Sequence, residues 1–395
     1  MTRILENQTP ADHVLVSTFR EPRFRHFGKQ DRQRLFNLIY TFLRYRTSLS
    51  LMAESKEMAA MFSYLSDSVV NQPNLSFALA RQAAFEGKTL PNELPDWLTE
   101  QLLKQYPEAE VRALAQSLLE TAPVDFRVNL LKTDRNSLVE KLRKAGIRAE
   151  ATPYSPWGIR VSDKADLTQS DSYCQGLMEV QDEGSQLIAL LLGTKRNEWV
   201  IDFCAGAGGK TLAIGAMMRA TGRLYALDTS THRLSSFQPR LLRSGLKNVV
   251  CHTIEDVHDA RLAKWHERAD RVLIDAPCSS LGTLRRNPAL KWQYRPADIE
   301  HFSLLQKNIL EAASALVKPG GVLVYATCSL LNAENEAVVN EFLAHHPEFV
   351  RESAKSVFEK QGIDIPCQDD LILLPNRHQT DGFYAARLKR QKGSQ

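Results

Sequence analysis

The chain has only six cysteines in 395 residues, and no two of them form a CxxC pair. That scatter speaks against a zinc site or a disulfide framework and for reduced thiols, so no metal is expected. Long apolar runs are missing as well. The most apolar one, residues 187–192, is far shorter than a bilayer requires, so no membrane partner is expected. The first ten residues, MTRILENQTP, lack the charged-then-apolar plan of a secretion signal, which points to the cytoplasm. Net charge is small, +4, so the protein is not a strongly basic binder as a whole. With 43% hydrophobic and 24% charged residues, the composition is that of a soluble globular protein, and the length implies two or three domains.

The charge is unevenly placed. Residues 1–50 hold nine Lys/Arg against four Asp/Glu, whereas residues 51–120 hold five against ten. A basic start of this kind suits a polyanion, although surface arginines are more often simply solvated. In residues 31–45, DRQRLFNLIYTFLRY, the apolar Leu35, Ile39, Phe42 and Leu43 fall at helical spacing, with arginines on the other face and Asp31 near the amino end. Residues 1–122 therefore read as an all-helical domain whose partner, RNA or protein, periodicity leaves open. From Pro123 the texture changes: PVDFRVNLLK alternates as a strand, residues 136–146 form a short helix stopped by Gly146, and residues 154–162 return to strand character. Residues 123–175 are expected to be a small α/β module that joins the larger pieces.

Residues 176–390 alternate strand and helix in the βαβ manner. Strands are expected at 198–203, 223–228, 248–253, 271–275 and 321–326, helices at 209–218, 232–245, 259–267 and 298–317, and two late edge strands at 370–374 and 382–388. This is the pattern of an α/β doubly wound, Rossmann-like sheet, which binds ligands beyond the carboxyl ends of its strands. The first strand runs into DFCAGAGGKT at 202–211, a glycine-rich turn before a helix. A P-loop needs a glycine at 204, where Cys204 stands, and the dinucleotide fingerprint needs one at 211, where Thr211 stands. Asp228, at the end of the next strand and twenty residues after Gly208, is placed to reach ribose hydroxyls; its other reading is a cap for the helix that starts near Thr231. Asp256, after the third strand, is placed near an adenine edge. A nucleoside cofactor without phosphates over the glycines points to S-adenosylmethionine.

Two thiols stand at neighbouring strand ends. The fourth strand ends in DAPCSSLGTLRRNP, with Asp275 and Cys278; the fifth, GVLVYA, ends in TCSL, with Cys328. A free cysteine is most often a buried small hydrophobe. Two of them beside a methyl donor suit nucleophilic catalysis better than packing. Arg285, Arg286, Lys291, Trp292, Tyr294 and Arg295 follow, mixing positive charge with aromatic faces as channels for single-stranded nucleic acid do.

PVDFRVNLLK, QDEGSQ at 181–186, DFCAGAGGKT, DAPCSSLGTLRRNPALKW, YATCSLLNAENE and DGFYAARL resemble, in that order, the motif set of the RsmB/Sun-type RNA cytosine-5 methyltransferases, over roughly 123–390. The first fifty residues resemble, more weakly, the NusB-like RNA-binding domain that bacterial rRNA members carry in front. The resemblance implies that Cys204, Ala205, Gly206, Ala207, Gly208, Gly209 and Lys210 line the methionine and ribose part of S-adenosylmethionine. Asp228 would hold the ribose, Asp256 would lie by the adenine, and Asp275 would stand near both donor and target base. It further implies that Cys328 is the nucleophile and Cys278 assists release, with RNA, rRNA favoured, as the partner. Ala207 departs from the family's usual proline, which puts the loop's rigidity in question. Chemistry alone leaves open which cysteine attacks. A tRNA or DNA cytosine-5 methyltransferase and a non-catalytic RNA-binding assembly factor are the rival functions, and a monomer is the default state.

Overall fold

GVLVYA at 321–326 is apolar at every position because it is covered on both faces. Leu323 and Tyr325 enter one core with Ile274, Leu310 and Val338, while Val322, Val324 and Ala326 enter a second with Leu187, Ile188 and Leu273. The computed structural model describes residues 1–395 except 7–8, 72–76, 163–166 and 393–395. It divides into two compact units, 1–121 with 283–296 and 122–282 with 297–395.

The second unit contains two sheets. The smaller is antiparallel and built from β1 (Val124–Val128), β2 (Ala149–Ala151), β3 (Gly158–Val161) and β4 (Met178–Val180), in the order β2-β3-β1-β4. Its fourth strand lies past 175, where the sequence reading had ended the module. The larger sheet contains β5 (Trp199–Asp202), β6 (Arg223–Asp228), β7 (Val249–Thr253), β8 (Ala269–Asp275), β9 (Val317–Thr327), β10 (Phe349–Glu352), β11 (Leu371–Leu373) and β12 (Phe383–Arg390). Its order is β10-β12-β9-β8-β5-β6-β7, with β11 against β12. Strands β5 to β9 run parallel. The chain starts at β5, goes outward through β6 and β7, and returns to β8 on the other side, so the switch point lies between β5 and β8.

Two expectations for this sheet need correction. The late strands are not a pair of edges: β12 is inserted antiparallel between β9 and β10, and its residues 383–388 are all buried. The expected helix at 259–267 is a 3-10 helix, Ala260–Trp265, capped by the Asp259 side chain.

The helix Glu183–Leu192 is buried almost all round, which explains the unbroken apolar run 187–192. The motif at 181–186 fastens the two sheets together. Arg127 of β1 donates to Gln181 Oε1 at 2.7 Å, and Glu183 accepts the backbone N–H groups of Tyr154 and Ser155 at 2.6 Å each. Burial pushes the Arg127 pKa down to about 10.

In the first unit the basic amphipathic helix spans Lys29–Arg44, with Phe42 and Leu43 buried and the Asp31 carboxylate accepting the Gly28 N–H at 3.0 Å. Residues 283–296, which the sequence reading assigned to the methyltransferase part and to a nucleic-acid channel, are built into this unit. The Trp292 indole N–H donates to the Leu43 carbonyl at 2.7 Å, Lys291 Nζ to the Arg44 carbonyl at 2.9 Å and Gln293 Nε2 to the Ile4 carbonyl at 2.6 Å. Lys291 is 2% exposed and Arg285 4%, so neither presents its charge to a strand of nucleic acid; Arg286 and Arg295 are exposed. Positive charge beside an aromatic ring reads the same in a sequence whether the ring faces solvent or a core. Among the described residues no helix is long and apolar enough to cross a membrane.

Burial pushes the Lys291 pKa down from 10.5 to about 7, the Glu93 charge opposing. Between those values the unfolded chain binds a proton that the folded one does not, so stability rises with pH. Melting temperatures of the parent and Lys291→Met should therefore shift relative to each other in the parent's favour from pH 7 to 10. Parallel curves would show that Lys291 folds as a cation.

Candidate active site

The turn after β5 needs glycine for two different reasons. Gly208 has φ +78°, and a Cβ there would lie 2.1 Å from the Phe237 ring, so it allows close packing against the helix Thr231–Ser244 and does not line the cavity beside the turn. Gly206 has φ +55°, faces open space, and donates its N–H to Asp228 Oδ2 at 2.8 Å. Asp228 also accepts the Ser230 N–H at 2.7 Å, while the helix is capped by the Ser230 side chain. Asp228 thus braces the glycine turn, and capping falls to its neighbour.

A cavity of about 580 Å³ opens beside the turn, within the range of small-molecule sites. Cys204, Ala205, Gly206, Ala207, Gly209 and Lys210 line it on one side and Asp228, Asp256 and Asp275 on others. Sequence reasoning missed Ser185, Arg233 and the apolar wall of Ile254, Val257, Leu305 and Ile309. Those apolar residues come from separate elements and carry no local motif. Bare glycine backbone, carboxylates and an apolar wall fit S-adenosylmethionine. Ala207 keeps the turn fixed by another route, since its carbonyl accepts a hydrogen bond from Arg240, which also donates to Glu179 at 3.1 Å.

The lysine of GlyLysThr is engaged by an acid: Lys210 Nζ donates to Asp275 Oδ2 at 2.7 Å. Burial pulls its pKa down, but the Asp275 charge and hydrogen bond outweigh that, and the net direction is up. Lys210 Nζ also lies 5.7 Å from the centre of the Phe383 ring. Asp202, fully buried under the turn, accepts from Thr211 Oγ1 at 2.6 Å, and burial pushes its pKa up to about 7.

The two thiols meet. Cys278 Sγ and Cys328 Sγ are 3.4 Å apart, just past the ends of β8 and β9, and Ser280 Oγ lies 3.3 Å from Cys328 Sγ. The hydrogen bond from Cys278 holds the Cys328 pKa below the ordinary value, with Ser280 and Lys210 assisting against burial and the Asp275 charge. The same bond, then burial and nearby charge, holds Cys278 well above it. Cys204 is raised by burial and by three carboxylates, so it stays a neutral thiol. The Cys328 loop is held by close backbone contact: the Gly282 N–H donates to the Cys328 carbonyl, and the Gly382 N–H to the Gly282 carbonyl, each at 2.8 Å. A Cβ at Gly282 would lie 2.1 Å from the Gly382 oxygen, which explains a glycine in each of the motifs at 281–283 and 381–384. Among the described residues no group of three or more His, Cys, Asp or Glu could hold a metal ion.

The 16S rRNA methyltransferase RsmB/F family matches over residues 189–389, and the ferredoxin-like domain of RsmF/B-like methyltransferases over 94–168. The chain is similar to a probable ribosomal RNA small subunit methyltransferase B of Synechocystis, 35% identical over 297 residues, which are 75% of this chain and 66% of that protein. It is also similar to ribosomal RNA small subunit methyltransferase B of Shewanella oneidensis, 34% identical over 77% of this chain and 68% of that one. The chain thus spans about two thirds of the length of these curated relatives. Among solved structures, a methyltransferase homolog from Pyrococcus horikoshii aligns with TM-score 0.60 and 27% identity over 75% of this chain and all of that one. NSun6 from Pyrococcus horikoshii, solved with SFG, aligns with TM-score 0.66 and 24% identity over 75% of this chain and 98% of that one, a likeness of fold. With a family match over half its residues, the chain belongs to the RsmB/F methyltransferase family.

Proposed function

We propose that the protein is an S-adenosylmethionine-dependent RNA methyltransferase that forms 5-methylcytosine, in small-subunit rRNA as the names of its relatives suggest. The observation that carries this reading is the pair of thiols 3.4 Å apart, one of them biased toward thiolate, beside a carboxylate that lines the cofactor cavity. Carbon 5 of cytosine is too electron-poor to take a methyl group unaided. When bound, S-adenosylmethionine supplies an electrophilic sulfonium methyl. The residues of the chain supply the activation: Cys328 adds as thiolate to carbon 6 and makes carbon 5 nucleophilic. Asp275, hydrogen-bonded to Lys210, is the group through which a proton reaches ring nitrogen 3 during that addition. The base has to be swung out of any stack to reach these groups. The carbon 5 proton then leaves to water, its bonding pair re-forms the 5,6 double bond, Cys328 departs as thiolate and the proton on ring nitrogen 3 returns to Asp275; Cys278 is the neighbour that assists release.

RNA is favoured over DNA by the names of the relatives, and a catalytic role over mere binding by the mutual placement of the thiols. Methyl transfer from labelled donor to total RNA tests the enzyme, trapping on RNA and DNA containing 5-azacytosine tests the polymer, and bisulfite sequencing of RNA from cells with and without the gene identifies the nucleotide. No labelled RNA in the first experiment would end the proposal.

The two cysteines should fail differently. Cys328→Ala should abolish methylation, whereas Cys278→Ala should leave a covalent protein–RNA adduct that survives denaturation. Adduct in Cys328→Ala instead would reverse the roles.

Ionisation gives an independent check. Because the Cys278 hydrogen bond lowers the Cys328 pKa below 9.0, the single-turnover rate should rise with pH with its midpoint below that value. In Cys278→Ala the corresponding limb of adduct formation should move to higher pH. An unmoved limb would show that Cys278 is not the donor.

A further inference from the structure

The residues that follow the two cysteines are both serines, and both are bound by one carboxylate. Glu334, fully buried after the TCSL turn, accepts the Ser279 N–H at 2.8 Å through Oε1, and the Ser279 hydroxyl at 2.5 Å and the Ser329 hydroxyl through Oε2. Gln306 Nε2 donates to Oε1 at 3.1 Å and also to the Pro277 carbonyl at 3.0 Å, which fixes the residue before Cys278 to the same group. The backbone around Glu334 is itself held, since Tyr325 of β9 donates its hydroxyl to the Glu334 carbonyl at 2.6 Å. Asn335 Nδ2 donates to the Ser329 carbonyl at 3.0 Å.

Every partner of this carboxylate named above is neutral, and its side chain is fully buried. A buried charge satisfied only by hydrogen bonds is costly to install and keeps a long reach in a low dielectric. Both oxygens accept, Oε1 from an N–H and an amide and Oε2 from two hydroxyls, and an amide, with one acceptor oxygen, would not match all four donors as a carboxylate does.

We propose that Glu334 is a positioning residue for the cysteine pair: it clamps the two loops through Ser279 and Ser329, and its charge keeps the shared proton on Cys278. The charged and titratable groups around the pair divide accordingly. Cys278 is faced by Glu334 and by the Tyr325 phenol, which add a negative charge and no positive one, so a second negative charge on that sulfur is penalised. Cys328 is faced by Lys210 and Asp275, which pair with each other, and by the Ser280 hydroxyl. The thiolate therefore settles on Cys328, and Cys278 remains the donor. The step is a placement of one proton between two sulfurs, and no bond to carbon is involved. The proposal rests on the reading of Cys328 as the nucleophile but concerns the protein alone.

The test is alkylation of the full chain by iodoacetamide across pH 6 to 9, with each cysteine scored by peptide mass spectrometry. In the parent, Cys328 should react at least about tenfold faster than Cys278, since one unit of pKa difference is tenfold in thiolate. In Glu334→Gln, which keeps the shape and one acceptor oxygen and removes the charge, that preference should fall to about threefold or less through a gain at Cys278, with the cooperative melt retained. A preference that stays tenfold in Glu334→Gln overturns the electrostatic role. Should that variant lose its melt, Ser329→Ala decides, because it removes one arm of the clamp and leaves the charge: the preference for Cys328 should persist while methyl transfer slows, and an inverted preference overturns the proposal. Absence of RNA methylation by the parent would sink the functional reading without touching this ranking.

Discussion

Parallel pairing of β8 with β9 is the constraint on which the site depends. Their register sets Asp275 opposite Ala326 and Ile274 opposite Tyr325. Because the strands run the same way, the chain leaves both at one edge of the sheet, and Cys278 and Cys328 emerge there a few residues later. An antiparallel pair would send them to opposite edges, more than a strand length apart. Register matters as much as direction. A slip of one residue would exchange Tyr325 with its neighbours between the two cores, so the packing of both faces locks the placement of the thiols. The edge is also the one to which β5 delivers the glycine turn, which is why the cavity and the two thiols share it.

What distinguishes the sulfurs is their surroundings, since the three cysteines near the site are chemically identical in the sequence. Cys204 lies among Asp202, Asp228 and Asp275 and is kept protonated. Cys278 is the more buried of the close pair, 9% exposed, and faces a carboxylate. Of the three, only Cys328 combines a thiol donor, a hydroxyl and an ammonium group within reach. Burial disfavours a thiolate at all three positions, so the outcome is decided by the polar groups that each loop brings. Those groups belong to residues remote in the chain: Lys210 from the glycine turn, Ser280 from the β8 loop, Glu334 from beyond β9.

The architecture was legible where period and punctuation are strong. Strands at 223–228 and 249–253, the helix after the glycine turn and the helix stopped by Gly245 follow from apolar runs and glycine. The carboxylates and thiols were legible because ordered motifs mark them. Three things were not. Topology hid β12, because a buried terminal run gives no sign of which strands it will separate. Residues 283–296 hid their burial, because charge beside an aromatic ring is read as surface. Glu334 hid its role, because a clamp on two serines has no periodicity and its partners at 279 and 329 lie 50 residues apart.

The glycine turn itself shows how far a fingerprint depends on its neighbours. GlyLysThr at 209–211 is the tail of a phosphate-binding loop in composition, and the helix it opens offers N–H groups as such loops do. Here the lysine cannot serve an anionic phosphate freely, since Asp275 holds its ammonium at 2.7 Å and three carboxylates face the same cavity. Thr211, which a P-loop would spend on a metal-bound phosphate, instead donates to the buried Asp202. With Asp228, Asp256 and Asp275 set against the cations of Lys210 and Arg233, the cavity wall has a net formal charge of one negative, which suits hydroxyls, an amine or a sulfonium better than a triphosphate. The acidic residues, each supplied by the end of a different strand or the loop after it, therefore weigh against a phosphate ligand, and the glycines leave room beside them.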